Sequence, residues 1–151
     1  MIVPGSAAAY ASLFLTSFLA ATVLPLGSEA VVVAMATMGY PPTGLFVVAT
    51  LGNTLGAVVN YGAGLLGECA LSRRYKPSDL PVLNNARNII HRWGAPAMIL
   101  AWAPVIGDPL TVLAGLAGMP FWRFFFWMGL GKALRYAILL AAVDQVSLFL
   151  G

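Results

Sequence analysis

Two carboxylic acids, Glu29 and Asp108, sit in matching breaks of an otherwise apolar chain, Pro25-Leu26-Gly27-Ser28-Glu29 and Pro104-Val105-Ile106-Gly107-Asp108. Positions 29 and 108 differ by 79 residues, and the same offset pairs Pro25 with Pro104. Each break lies between half-length hydrophobic runs. That arrangement places a carboxyl group at mid-bilayer depth, where it costs several kcal/mol and is kept for a partner, a water path or a substrate. Lys132 and Arg135 are the available counter-charges, three positions apart and so on neighbouring faces of a helix. Burial favours a neutral carboxyl and a nearby cation favours a charged one, so such a set can exchange protons with a water-filled cavity. The two cations can also neutralise an anionic headgroup. Proton coupling at a polar substrate site is the expectation; the structural alternative is four charges in static pairs that pin the breaks.

Those charges are exceptional in this composition. Of 151 residues 60% are hydrophobic and 9% charged, with a mean hydropathy of +0.88, which excludes an ordinary water-soluble globule. The formal charge of +3 invites a nucleic-acid reading. However, six of the eight basic residues (Arg73, Arg74, Lys76, Arg87, Arg92 and Arg123) fit one membrane face, the positive-inside pattern, so no nucleic-acid partner is expected. Phe121-Trp122-Arg123-Phe124-Phe125-Phe126-Trp127 reads as an interfacial aromatic belt rather than a base-stacking platform. Cys69 is the single cysteine and His91 the single histidine, so neither a disulfide nor a zinc set can be assembled, and no metal or cofactor is expected. The first six residues lack Lys and Arg, unlike a cleavable signal peptide, and are expected to remain in the mature chain.

The apolar runs set the architecture that must hold the acids. A first run, 7–24, stops at Pro25. A second, 30–38, is nine residues and rises only about 14 Å, half a bilayer core, so it must turn back or stay shallow. A third, 43–66, is long enough to span and leads into the polar stretch 68–92, whose five Lys or Arg place it in the cytoplasm. After Trp93-Gly94 the pattern returns: a run to Ala103, the second break, a run to Ala117, then Gly118-Met119-Pro120 and a last apolar stretch from Phe121 to Leu150. Shifting the first half by 79 pairs Glu29 with Asp108, Gly39 with Gly118, Pro41 with Pro120, Gly52 with Gly131 and Leu55 with Leu134 without a gap.

The fold expected is an all-α polytopic membrane protein of one domain, 1–151, built from two inverted repeats, each a re-entrant helical hairpin plus a transmembrane helix. Repeat 1 covers about 7–66, the basic cytoplasmic loop 68–92, and repeat 2 about 93–150. One crossing per repeat makes the second copy enter from the opposite side. A helix starting near Phe121 puts Lys132 about 16 Å deep and Arg135 about 21 Å deep, level with the two acids.

Pro25, Ser28, Asn53, Asn60, Trp102 and Pro104 are candidates to line the site. The small and polar face Gly52-Asn53-Thr54-Leu55-Gly56 with Asn60-Tyr61-Gly62 and Gly64 suits close backbone packing. Asn53 aligns with Lys132 and is placed to hydrogen-bond Glu29 or line a path. Residues 81–93 read as a short interfacial helix, His91 as a surface residue, and Arg73-Arg74-Tyr75-Lys76 as an anionic-lipid patch or a topology signal.

Leu24-Pro25-Leu26-Gly27-Ser28-Glu29, Gly52-Asn53 with Leu55-Gly56, Asn60-Tyr61, Trp102-Ala103-Pro104 with Gly107-Asp108, Ala114-Gly115 and Gly131-Lys132-Ala133-Leu134-Arg135-Tyr136 together resemble the DedA (SNARE-associated, VTT-domain) family of integral membrane proteins, and within it a short YqaA-like bacterial branch. The similarity runs from about residue 12 to about 140. It implies opposed re-entrant hairpins, a bacterial inner-membrane location, dependence on the proton-motive force, and movement of membrane lipids such as phospholipid or undecaprenyl phosphate between leaflets. Glu29, Asp108 and Arg135 become the positions to test. The family pattern R-F-x-P-x-x-R at the second break is absent, since Ala101, Trp102, Pro104 and Gly107 stand there, which leaves Lys132 and Arg135 to meet a phosphate.

The functional expectation is a lipid flippase or scramblase, with a proton-coupled small-cation or drug carrier and a non-transporting scaffold as alternatives. An enzyme is not expected, because the Tyr-Asp and Gly-x-Gly-Asp settings of intramembrane aspartyl proteases are missing. Four apolar elements make a thin wall, so a homo-oligomer is expected.

Overall fold

The structure, a computed structural model, describes residues 7–22, 27–76, 80–103 and 106–150. These are helical, with no strand among the described residues: α1 (Ala7–Thr22), α2 (Ser28–Thr37), α3 (Pro42–Arg74), α4 (Pro81–Trp93), a 3₁₀ segment (Ala95–Trp102), α5 (Gly107–Leu116) and α6 (Phe121–Leu150). Pro25 and Pro104 lie outside the described residues.

Two helices, α3 with 33 residues and α6 with 30, rise about 50 and 45 Å and are long and apolar enough to cross a membrane. At ten residues each, α2 and α5 reach about 15 Å and cannot. Their ends are written in the same turn chemistry. Gly39 (φ 84°) and Gly118 (φ 67°) sit in the left-handed region just past α2 and α5, which glycine adopts at no steric cost. The Tyr40 N–H donates to the Met35 carbonyl at 3.2 Å and the Gly39 N–H to Ala36 at 3.0 Å; Met119 donates to Ala114 and Gly118 to Gly115, each at 3.0 Å. These are two Schellman stops, and in each the residue after the glycine, Tyr40 or Met119, is buried. Prolines then open the next helix, with Leu45 N–H on the Pro41 carbonyl and Phe124 N–H on that of Pro120.

The offset of 79 recurs throughout. It carries Ser28 and Thr37, the ends of α2, onto Gly107 and Leu116, the ends of α5, and Pro42 onto Phe121, the starts of α3 and α6. It also carries an exposed apolar stripe of α3, Leu51, Leu55 and Val59, onto Leu130, Leu134 and Ile138 of α6, likewise exposed. Residues spaced by four share a helix face, so each long helix shows an apolar strip left exposed among the described residues.

Two segments depart from the sequence reading. The polar stretch 68–92 is largely helix: α3 continues to Arg74 because no Pro or Gly interrupts residues 68–74, and Arg73 and Arg74 complement the carbonyls of its last turn. The run before the second break is 3₁₀ rather than α. There Gly107 packs so closely on the segment that a Cβ would stand 2.5 Å from the Ala101 carbonyl oxygen.

The chain divides into two compact units, Met1–Gly56 with Lys132–Gly151, and Ala57–Gly131. In the first, α1 packs on α2, and Leu13, Val32, Met35, Tyr40, Leu45, Ala49 and Tyr136 form the core. Gly52 and Gly56 of α3 press on α1, where a Cβ at either would meet the carbonyl of Phe14 or Phe18 at 2.5 Å. In the second, α5 packs on α4 and on the 3₁₀ segment, and Tyr61, Met98, Leu110, Ala114, Met119, Phe124 and Met128 are central. Gly64 of α3 and Gly115 of α5 meet backbone to backbone. The small residues of α3 thus do the close packing that small-xxx-small spacing suggests.

Candidate functional site

Glu29 occupies the first turn of α2 and Asp108 the first turn of α5, positions where a carboxylate complements the exposed N–H groups of a helix start. Gly27, at φ 92°, lets the chain turn into α2, and its carbonyl accepts the Val31 N–H at 3.2 Å.

Within the first unit Glu29 forms an ion pair with Arg135; the side chains are 33% and 13% exposed. The Tyr136 hydroxyl, fully buried, donates to Ser28 Oγ at 3.0 Å, and Ser28 Oγ donates to Glu29 Oε2 at 3.4 Å. Lys132, Arg135 and Tyr136 share one side of α6 by their spacing of three and four, and Lys132 is fully buried. A carboxylate, a guanidinium and two hydroxyls therefore converge, with an ammonium one turn away. The set can bind an anionic group at the guanidinium, and can load or release a proton at the carboxylate through the hydroxyls.

Apolar space lies farther along the same two helices. One to two turns beyond Glu29, Val33, Ala36 and Thr37 line a cavity of about 600 Å³ together with Leu139, Leu140 and Val143, one to two turns beyond Arg135. Both helices therefore leave the pair in the same direction, and the cavity is walled almost wholly by hydrocarbon, with Asp144 also at its lining.

Asn53 lies in the same unit but not against Glu29: its Nδ2 donates to the Ser17 carbonyl at 3.2 Å. Asn53 Oδ1, Ser17 Oγ, Thr50 Oγ1 and Thr54 Oγ1 are buried without a hydrogen-bond partner among the described residues. Asp108, Asn60 and Trp102 belong to the second unit. There the Thr111 hydroxyl donates to the Asp108 carbonyl at 2.6 Å, Asn60 is half-buried and Trp102 is exposed. Tyr61 stacks on Phe124 with ring centroids 4.4 Å apart and donates to the Met119 carbonyl at 2.5 Å, locking the corner between α5 and α6.

Sequence reasoning placed Glu29, Ser28 and Arg135 in one site and gave no role to Tyr136 or the apolar cavity. Tyr136 could have been found from its spacing of four from Lys132. The cavity needs the pairing of α2 with α6, which no local pattern carries.

An all-helical chain with two helices of bilayer-crossing length, uncovered apolar stripes and a largely sequestered ion pair belongs to the class of helical membrane proteins. More narrowly, the chain belongs to the VTT-domain family, the DedA family: the VTT domain matches residues 3–145. It is 39% identical over 135 residues to "Inner membrane protein YqaA" of Escherichia coli, covering 89% of this chain and 90% of that one. The corresponding protein of Shigella flexneri matches to the same extent. An uncharacterized protein of Haemophilus influenzae is 35% identical over 136 residues, covering 85% and 83%. No solved structure matches the chain.

Proposed function

We propose that the protein moves a lipid across the bacterial inner membrane, its anionic headgroup taken by Arg135 and an acyl chain by the cavity between α2 and α6. The observation that carries this reading is the order of chemistry along the two helices: an ion pair of Glu29 and Arg135, then about 600 Å³ of apolar space. A lipid has the same order, charge first and hydrocarbon behind it. A small hydrophilic cargo would have no use for such a cavity. Proton coupling follows from the pair itself: a proton reaching Glu29 by way of Ser28 and Tyr136 removes the partner of Arg135 and frees the guanidinium for a phosphate, and loss of that proton restores the pair and expels the headgroup.

The architecture proposed around this site is two inverted repeats with re-entrant hairpins, in which α2 and α5 dip without crossing. The shared offset of helix ends, turn hydrogen bonds and exposed stripes supports a repeat. The odd number of crossings per copy and the basic residues of 68–92 and Arg123 support inversion with that stretch in the cytoplasm. Asp108 would then play the part of Glu29 in the second copy. No chemical conversion of the lipid is part of this reading.

Asp144 at the cavity lining favours a second reading, a proton-coupled carrier of an amphipathic cation. Reconstitution in liposomes with a fluorescent phospholipid separates the two. Lipid translocation above that of protein-free liposomes, lost in Arg135→Gln and slowed when Leu139→Trp fills the cavity, supports the lipid reading. Translocation no faster than in protein-free liposomes overturns it.

A further inference from the structure

A second, smaller cavity lies within the other unit. It measures about 250 Å³ and is lined by Arg87, His91, Gly94, the corner 117–120 and Arg123. Three of its lining residues, on two of its walls, carry cationic or N–H-donating side chains. Arg87 and His91 are four residues apart on α4 and share a face, and Arg123 stands in the first turn of α6. Arg87 already holds Glu68 at 3.1 Å through one Nη, which fixes the guanidinium and leaves its other N–H donors. Neither His91 nor Arg123 has a carboxylate partner among the described residues.

We infer that this cavity binds a phosphate group, through Arg87, His91 and Arg123. Its size suits a phosphate and excludes a whole lipid, which needs several hundred Å³. Arg123 brings the start of α6 to the cavity, so the unpaired N–H end of that helix adds to the same field. The surroundings say where the rest of a ligand goes. Trp93, Trp122 and Phe126, all more than half exposed, flank Arg92 and Arg123 in sequence, and this is the aromatic composition of a membrane interface. A lipid headgroup lodged between α4 and α6 can leave its chains among these rings, whereas free phosphate uses the cavity alone. The inference does not depend on the transport reading.

The test uses the full chain in phosphatidylcholine nanodiscs, with ³¹P line broadening as the readout. The probes are inorganic phosphate and dihexanoyl phosphatidic acid. Broadening by either, weakened roughly tenfold or more in the double variant His91→Asn with Arg123→Gln and largely recovered in Arg123→Lys, supports the site. Response to phosphate as well as the lipid marks a general anion site, and response to the lipid alone marks a headgroup site. Arg92→Gln, on α4 but outside the cavity, is expected to bind like the parent. Both side chains replaced in the double variant are exposed, so it should elute as the parent does on size exclusion. If neither probe is broadened by the parent protein, or if Arg92→Gln weakens binding as much as the double variant, the inference is wrong and the charge is diffuse.

Discussion

Arg135 of α6 and Glu29 of α2 form an ion pair across 106 positions of sequence, the difference between 135 and 29, and this contact ties the short helix to the long one. Both groups are largely removed from solvent, so deleting one partner strands the other. Arg135→Gln leaves a carboxylate without its cation and Glu29→Gln leaves a guanidinium without its anion. Each is expected to cost about 1–3 kcal/mol, below the value for a fully buried pair because Glu29 keeps a third of its surface. The double variant should cost less than the sum of the two. A thermal-unfolding cycle in detergent, followed by tryptophan fluorescence, measures the coupling; strict additivity would show that the pair contributes nothing.

Gly64 and Gly115 illustrate a different constraint, since each occupies the place where the other's side chain would go. A Cβ on Gly115 would fall against the Tyr61 carbonyl oxygen and the Gly64 Cα, all backbone and unable to yield. Gly115→Ala and Gly64→Ala are expected to separate the helices at a cost of about 1–3 kcal/mol or more. Gly62 and Gly129, also helical, meet nothing within 4 Å. Alanine there should be neutral or stabilise by about 0.5–1 kcal/mol through helix propensity. The melting temperatures of the four variants check the contrast.

Much of this fold can be read from local chemistry. Gly39-Tyr40-Pro41 and Gly118-Met119-Pro120 encode a left-handed stop followed by a proline start, and the structure bends at both. The helix over 81–93 and the one from Phe121 follow from the same kind of signal. What stays hidden depends on distant pairing. The 3₁₀ form of Ala95–Trp102 has no propensity signal of its own, Asn53 binds a backbone carbonyl of α1 rather than Glu29, and the cavity of Val33 and Leu139 exists only once α2 lies along α6. The basic cavity joins Arg87 and Arg123, which the sequence separates by an entire apolar segment.

Tyr136 and Ser28 supply the hydroxyl chain to Glu29. Tyr136→Phe keeps the buried ring and removes only the donor, so the expected loss is about 1 kcal/mol. If protons reach Glu29 by this route, the variant should retain lipid movement in the absence of a pH gradient and lose most of the acceleration that a gradient gives. Liposome assays with and without an imposed gradient measure both terms. Equal acceleration in Tyr136→Phe and the parent removes the hydroxyls from the pathway.

Thr54 separates stability from use. Its hydroxyl is buried on α3 without a hydrogen-bond partner among the described residues, as are Ser17 Oγ, Thr50 Oγ1 and Asn53 Oδ1. A polar atom in that state costs about 1–3 kcal/mol relative to a paired one, and valine has nearly the shape of threonine without the hydroxyl. Thr54→Val is therefore expected to hold or raise the melting temperature. Were this hydroxyl mere packing, transport would be unchanged as well. A buried hydroxyl kept at this stability cost serves a wetted path, so the expectation here is a more stable protein with lipid translocation slowed several-fold. The two readings part on one measurement, the translocation rate of a variant whose folding is not in question.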